Sequence, residues 1–289
     1  MRRTIHLSQP TYIEKIATKY LHGNNSKEWQ VPYNPTRMGV QLWHTIKQAE
    51  TDADRNMMIG KDFNGLLGSL LYAACMTRPD IAYATAYLCQ FMQAPSTGAW
   101  EAALGVAAYL NSTSELGITF GGGQRACCVE SATRLHPICI SDGSFGRDPH
   151  PFVGGFVEWR NGPAVWVARK SKSTSTALSS CEIELNALVM MLKEALFVTQ
   201  MVQFTGIKLV GPMPVITDNK AAYDVIKCPG ATKRTAHFDR WLHFARDLRL
   251  RNAIEIFLTG TDNMMADFFT KPVDKTTFLR CRKYVLNLA

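Results

Sequence analysis

The sequence predicts an α/β domain whose mixed five-stranded sheet carries helices on its faces, preceded by a smaller, mostly helical domain. Three observations predict it. Strand-type runs bounded by turn dipeptides begin near His136, one long apolar segment from Ser180 to Phe204 separates them from two further strands, and between Asp62 and Leu110 the apolar residues recur at helical spacing.

In the first part, Leu66, Leu67, Leu70 and Leu71 form one helical stripe, Ile81, Ala84, Tyr87, Leu88 and Phe91 a second, and Ala103, Val106, Ala107 and Leu110 a third. Pro79 in Thr77-Arg78-Pro79-Asp80 suits a first helical turn, where its missing N–H leaves nothing unpaired. Ala94-Pro95-Ser96-Thr97 ends one helix and offers a cap for the next. Gly121-Gly122-Gly123-Gln124 marks a boundary. The expected organisation is a helical region over 1–120, a linker over 121–134 and the α/β domain over 135–289.

In the second part, Pro137 to Asp142, Phe152 to Trp159 and Ala164 to Arg169 read as an antiparallel meander, with turns at Asp148-Pro149 and Asn161-Gly162. The long helix follows, then a strand Met213 to Thr217, a helix from Lys220, another from Phe238 to Leu250, a strand Ile254 to Leu258 and a helix after Thr261. That order gives a mixed sheet with helices on its faces.

At 289 residues, 46% hydrophobic and 19% charged, the chain can bury a substantial core. No apolar run approaching ~18 residues is read as a membrane span, and the N-terminus lacks the apolar stretch of a secretory signal, so the expected location is intracellular, without membrane association. The eight cysteines include no C-x-x-C pair and read as reduced thiols rather than a zinc site. The net charge of +8 suggests a polyanionic partner. Lys and Arg number 11 against 9 Asp and Glu up to residue 125 and 21 against 15 beyond it, so the basic excess sits in the second part.

Four acids of that part fall at comparable places: Asp142 in the first strand, Glu184 on the long helix, Asp218 ending the fourth strand and Asp267 near the start of the last helix. Strand ends and helix starts are where an α/β sheet opens its crevice. Clustered carboxylates bind hard divalent cations, and two such ions can stabilise the attacking and leaving oxygens of a phosphodiester displacement. Singly, each acid also has an ordinary structural reading. Asp142 before Gly143 suits a turn, Asp218 before Asn219 a helix cap, and Asp267 the start of a helix.

Glu182 and Glu184 compete for the helix position. Steps of four, seven and eleven from Glu184 reach Leu188, Met191 and Ala195, which puts this carboxylate on the stripe facing the sheet. Steps of four and eleven from Glu182 reach Asn186 and Lys193, on the polar side, and Glu182 stands three residues after Ser179, the spacing of a capping box. Glu184 is therefore the metal candidate and Glu182 the capping one.

Thr176-Ala177-Leu178-Ser179-Ser180-Cys181-Glu182-Ile183-Glu184-Leu185, Thr217-Asp218-Asn219-Lys220-Ala221-Ala222, Arg234-Thr235-Ala236-His237-Phe238-Asp239 and Ala266-Asp267-Phe268-Phe269-Thr270-Lys271-Pro272 together resemble the ribonuclease H of copia-type retrotransposon Pol polyproteins. The first part resembles the end of the reverse transcriptase just upstream, through Ile5-His6-Leu7-Ser8-Gln9-Pro10, Leu67-Gly68-Ser69-Leu70-Leu71-Tyr72 and Thr77-Arg78-Pro79-Asp80-Ile81-Ala82. The resemblance implies an RNase H-like sheet and hydrolysis of the RNA strand of an RNA–DNA hybrid with two Mg²⁺ ions, Mn²⁺ being a substitute. Asp142 would bridge both metals, Asp267 would help hold the ion that activates water, and Glu184 with Asp218 would hold the other. Recognition of the hybrid is expected through phosphates and 2′-hydroxyls, with Lys170, Lys172, Asn219, Lys233 and Arg234 as candidates, although a solvated basic loop explains the lysines and arginine equally well. His237 reads as an orienting residue. The partners implied are the hybrid and the polymerase portion missing from this chain, in the cytoplasm within a virus-like particle or in the nucleus.

This sequence departs from the family at Phe145, where Trp is usual, in a glycine-rich and shortened hairpin after it, and at Cys181, where Thr is common. It contains no Tyr-x-Asp-Asp motif, so polymerase activity is not expected. Two alternatives stay open: a domesticated or decayed fragment that binds nucleic acid but cuts poorly, and an integrase-like strand-transfer enzyme using Asp142, Asp218 and Glu255.

Overall fold

The computed structural model describes residues 3–21, 29–32, 43–122, 136–145, 151–171, 180–228 and 239–288. In chain order the elements are β1 (Thr4–Ser8), α1 (Pro10–Tyr20), α2 (Asp52–Asn56), α3 (Phe63–Met76), α4 (Ala82–Leu88), α5 (Thr97–Ser112), β2 (Gly117–Gly121), β3 (Ile138–Gly143), β4 (Phe152–Trp159) and β5 (Gly162–Lys170). Then come α6 (Ser180–Phe204), β6 (Met213–Thr217), α7 (Lys220–Lys227), α8 (Asp239–Leu250), β7 (Ile254–Leu258) and α9 (Lys275–Val285). They fall into two compact units: a sheet unit of Met1–Ile5 with Phe120–Lys271, and a helical unit of His6–Thr119 with Pro272–Ala289.

Local chemistry starts the helices of the helical unit. Pro10 opens α1, the Asp62 carboxylate accepts from Gly65 N–H at 2.9 Å to cap α3, and the Ser96 hydroxyl accepts from Ala99 N–H to cap α5. Leu66, Leu67 and Leu70 of α3 and Ala103, Val106, Ala107 and Leu110 of α5 are buried, as their spacing requires. The Thr-Arg-Pro-Asp run does more than start a helical turn. Arg78 and Asp80 are fully buried and joined by two bonds, Nε to Oδ1 at 2.9 Å and Nη2 to Oδ2 at 2.8 Å. Tyr109 donates to the same Asp80 oxygen at 2.5 Å, and Arg78 also bonds the Thr113 carbonyl and hydroxyl. Burial opposes ionisation of Asp80, but the Arg78 guanidinium outweighs it and holds the carboxyl below its usual range.

The five-stranded sheet has the order β5-β4-β3-β6-β7. β3, β4 and β5 form the antiparallel meander, and β3 pairs in parallel with β6, which pairs in parallel with β7. The β4–β5 hairpin closes through Arg160 and Asn161, both at positive φ, as a two-residue loop matched to strand twist demands. α6 covers the sheet with Leu188, Met191 and Ala195 fully buried, and it packs on β3, β4 and β5. This helix is long and apolar enough to cross a membrane by length and composition alone, yet 56% of its apolar window is buried within the protein.

One element differs from the sequence expectation. No helix follows directly on Thr261: the chain makes short 3-10 turns at Thr261–Asn263 and Asp267–Phe269, and α9 begins only at Lys275. Pro272, without an N–H, cannot extend a helix begun at Asp267, whereas Asp274 caps α9 by accepting from Thr276 and Thr277 N–H. α9 also lies outside the α/β domain drawn over 135–289. Its buried Phe278, Cys281 and Val285 belong to the helical unit, where Phe278 meets Tyr109 edge to face and Arg282 donates to the Tyr109 hydroxyl at 3.1 Å. The amphipathic stripe of α9 is matched by a surface that the sequence order does not reveal.

Candidate metal centre

The placement of the acids begins with strand pairing. β3 and β6 run parallel with Ile140 opposite Ile216, so two residues further on Asp142 and Asp218 emerge side by side at the same sheet edge. Adjacent strands lie only about 4.8 Å apart. Two glycines then let other elements close on Asp142. A Cβ on Gly143 would lie 2.7 Å from Ile183 Cγ2 and 2.9 Å from the Ile183 carbonyl oxygen, so only glycine admits the first turn of α6, which carries Glu184. Gly154, paired with Asp142 across β4, would with a Cβ come within 2.9 Å of Phe269, so its bare backbone admits the turn that begins at Asp267.

Oxygens of Asp142, Glu184 and Asp218 come together within 4.8 Å of one another. Asp142 and Glu184 are buried, and Asp218 is half-buried. Asp267, also buried, stands beside this triad and acts electrostatically on both Asp142 and Asp218. The ordinary readings fail for two of the acids. Asp142 lies inside β3 rather than in a turn, and the cap of α7 is Asn219, whose side-chain oxygen accepts from Ala222 N–H at 2.9 Å. Asp267 does begin a short turn, as a helix-start residue would, but its carboxylate faces Lys271 at 2.7 Å.

The electrostatics are those of carboxylates crowded away from water. Burial, reinforced by Asp142 and Asp218, pushes Glu184 up to about 9. Burial raises Asp142 to about 6, with Lys271 pulling down and Asp267 pushing up, and burial followed by Asp267 raises Asp218. Hydrogen bonds hold the set in place. Thr270 donates to Asp142, Gly143 N–H to Glu184, and the Thr261 hydroxyl to Asp218. Glu184 Oε2 is buried without a hydrogen-bond partner, which is what a carboxylate poised for a cation rather than for a protein donor leaves exposed to its neighbours. The donor set, all oxygen and all anionic, fits a hard divalent ion such as Mg²⁺ or Mn²⁺.

Other candidates fare differently. Glu182 is not on a polar, solvent-facing side; it is buried, and one turn further along α6 Asn186 donates to Ser171 at 3.1 Å. Glu182 is not one of the three converging acids, and its expected capping partner Ser179 lies outside the described residues. Lys170 is half-buried at the end of β5, opposite Phe152. Lys172, Lys233, Arg234 and His237 lie outside the described residues. Glu255, the third acid of the integrase-like alternative, is exposed on β7 and separate from the triad. Sequence reasoning missed Thr270 and Lys271, although the four-residue step from Asp267 to Lys271 was a legible pairing signal.

The strand order and the acids at the ends of its central parallel strands define an RNase H-like α/β fold. The chain is 27% identical over 285 residues to a retrovirus-related Pol polyprotein from a tobacco transposon, TNT 1-94, and 28% identical over 218 residues to that of the Arabidopsis thaliana transposon RE2. These alignments cover 98% and 75% of the chain but only 20% and 14% of those polyproteins. Its relatives over most of its length are thus retrovirus-related Pol polyproteins of plant copia-type transposons, and it matches a minor part of each one's length. A shorter similarity, 32% over 134 residues and 46% of this chain, covers 88% of the secreted RxLR effector protein 161 of Plasmopara viticola. No family model matches the chain. A solved foamy viral protease-reverse transcriptase in complex with double-stranded DNA aligns at 12% identity and a TM-score of 0.39, over 74% of this chain and 35% of that one, too distant to carry an argument.

Proposed function

We propose that the sheet unit is a metal-dependent ribonuclease H that hydrolyses the RNA strand of RNA–DNA hybrids. The observation that carries this reading is the convergence of Asp142, Glu184 and Asp218, with Asp267 adjoining, on the sheet of a chain related to Pol polyproteins. A retroelement nuclease has to cut a phosphodiester, and this site contains carboxylates and hydroxyls rather than a nucleophile–base pair.

Asp142, Glu184 and Asp218 would hold a divalent ion, and Asp142 with Asp267 would face a second cation. When bound, such ions lower the pKa of water and take up charge on the attacking and leaving oxygens. The chain's own contribution is placement. Gly143 N–H and the Thr261 and Thr270 hydroxyls fix three carboxylates from outside the cluster, so that their free oxygens face one space. Burial keeps that space poor in water, which strengthens each charge interaction within it. Discrimination between RNA and DNA would come from contacts to 2′-hydroxyls.

The test is incubation of the purified chain with labelled RNA–DNA hybrid, duplex RNA and duplex DNA, each with Mg²⁺, Mn²⁺ or EDTA. Cleavage of only the RNA strand of the hybrid, abolished by EDTA, is the expected result. Hybrid binding without metal-dependent cleavage would instead identify a nucleic-acid-binding remnant.

A further inference from the structure

The four carboxylates are not equivalent. Asp142, Glu184 and Asp218 converge on one another, whereas Asp267 lies beside them with its Oδ1 2.7 Å from the ammonium of Lys271. The same ammonium is 3.9 Å from Asp142 Oδ2. Lys271 thus contacts the two carboxylates that a second divalent ion would need, Asp142 and Asp267, and contacts neither Glu184 nor Asp218 at ion-pair distance among the described residues.

The backbone directs the lysine there. The N–H groups of Thr270 and Lys271 both donate to the Asp267 carbonyl, at 3.1 and 3.2 Å, closing a turn that returns Lys271 over Asp267. The preceding side chain, Thr270, donates to Asp142, so two successive residues address the same carboxylate. The Lys271 side chain is 41% exposed, with its stem along the protein and its charge against the acids. A divalent cation and an ammonium held against the same pair of carboxylates repel one another, and in a partly buried site that repulsion is strong.

Resting on the reading of the acid cluster as a metal centre, we propose that Lys271 is a built-in second cation. Asp142, Glu184 and Asp218 take up one divalent ion, and the Lys271 ammonium supplies the positive charge between Asp142 and Asp267 that a second ion would otherwise supply. The chain then binds a single ion in the absence of substrate because its second position is already neutralised by a side chain.

Equilibrium Mn²⁺ titration of the whole chain without nucleic acid tests this, comparing wild type with Lys271→Met and Lys271→Arg. The expected result is one Mn²⁺ per chain for wild type and for Lys271→Arg, and a second Mn²⁺, or at least a tenfold gain in affinity at a second step, for Lys271→Met. The same stoichiometry and affinities in wild type and Lys271→Met overturn the proposal, as does a wild type that binds two ions. Should Lys271→Met not fold, Asp267→Asn decides. It is expected to keep the single Mn²⁺ within threefold of wild-type affinity, because Asp267 serves the lysine, and a tenfold loss overturns the proposal. Failure of the underlying reading looks different. A wild type that binds no Mn²⁺ overturns the metal centre itself, and one that binds Mn²⁺ without cutting hybrid overturns the substrate while the stoichiometry still judges Lys271.

Discussion

In the helical unit, Arg78 and Asp80 are buried as an opposite-charge pair, whereas in the sheet unit the carboxyls of Asp142 and Glu184 are buried and that of Asp218 half-buried, crowded together with Lys271 beside them. Both sets lie at the ends of regular elements and both are removed from water. The paired set holds its charges through mutual attraction, with Asp80 kept below its usual range. In the crowded set, burial and repulsion raise every triad member. Removing one partner of a buried pair strands the other charge, whereas a crowded set of buried acids marks a candidate site for something of opposite sign.

The largest effect expected from that contrast is on the paired side. Arg78→Met leaves the buried Asp80 without its guanidinium partner, and should destabilise the chain by about 3–5 kcal/mol, read as a lower denaturant midpoint. A loss below ~1 kcal/mol would mean that Tyr109 alone satisfies Asp80.

On the crowded side, removing a charge should cost activity and spare the fold. Asp142→Asn and Asp218→Asn are each expected to slow hybrid cleavage at least ~100-fold, about 2.7 kcal/mol of barrier, while the metal-free protein melts no earlier than wild type. Near-wild-type cleavage in either variant removes that residue from the metal centre.

The same crowding predicts an unusual pH dependence. Glu184 keeps its proton to about 9 in the folded state against an ordinary value of 4.5, so between these values the folded chain binds more protons than the unfolded one. Metal-free stability is therefore fully present below 4.5 and falls as pH rises toward about 9, by on the order of a few kcal/mol. Asp142 adds in the same direction between its ordinary 3.8 and about 6. Melting curves from pH 5 to 9 in EDTA should show the decline, Glu184→Gln should flatten it, and Mn²⁺ should oppose it by taking the place of the proton. A flat wild-type profile would mean that the cluster is well hydrated.

The smallest effect is expected at Glu182→Gln. Although Glu182 is buried, it is not one of the converging acids, and glutamine keeps its size and hydrogen-bonding ability, so cleavage should stay within a few-fold of wild type while Glu184→Gln loses it. The reverse pattern would exchange the roles of the two glutamates.

How much of this was legible in the sequence depends on the range of the interaction concerned. Turn dipeptides, caps and apolar periods are local, so the five strands, α6, α7 and the cap at Ser96 could be read directly, and the phase of α6 favoured Glu184, the glutamate that converges with Asp142 and Asp218. Family motifs supplied the set of four acids. The polar side expected for Glu182 failed because burial depends on what packs against the helix, and on this side of α6 even Asn186 is bonded to Ser171, just beyond β5. The last helix begins later than expected because Pro272 bars a helix begun at Asp267, and spacing alone does not show that Phe278, Cys281 and Val285 match the helical unit.

By itself, then, the sequence indicated the order and type of the elements from β3 to β7 and named the four acids as candidates, since those readings follow from residue spacing, local hydrogen bonding and motif resemblance. Only the tertiary structure decided that parallel register sets Asp142 beside Asp218, that the bare backbones of Gly143 and Gly154 let Glu184 and Asp267 close on Asp142, and that Lys271 stands between two of the acids. Apart from the four-residue step between Asp267 and Lys271, each of these is a distance of a few ångströms between residues far apart in the chain, and such distances are set by packing rather than by any pattern along one strand or helix.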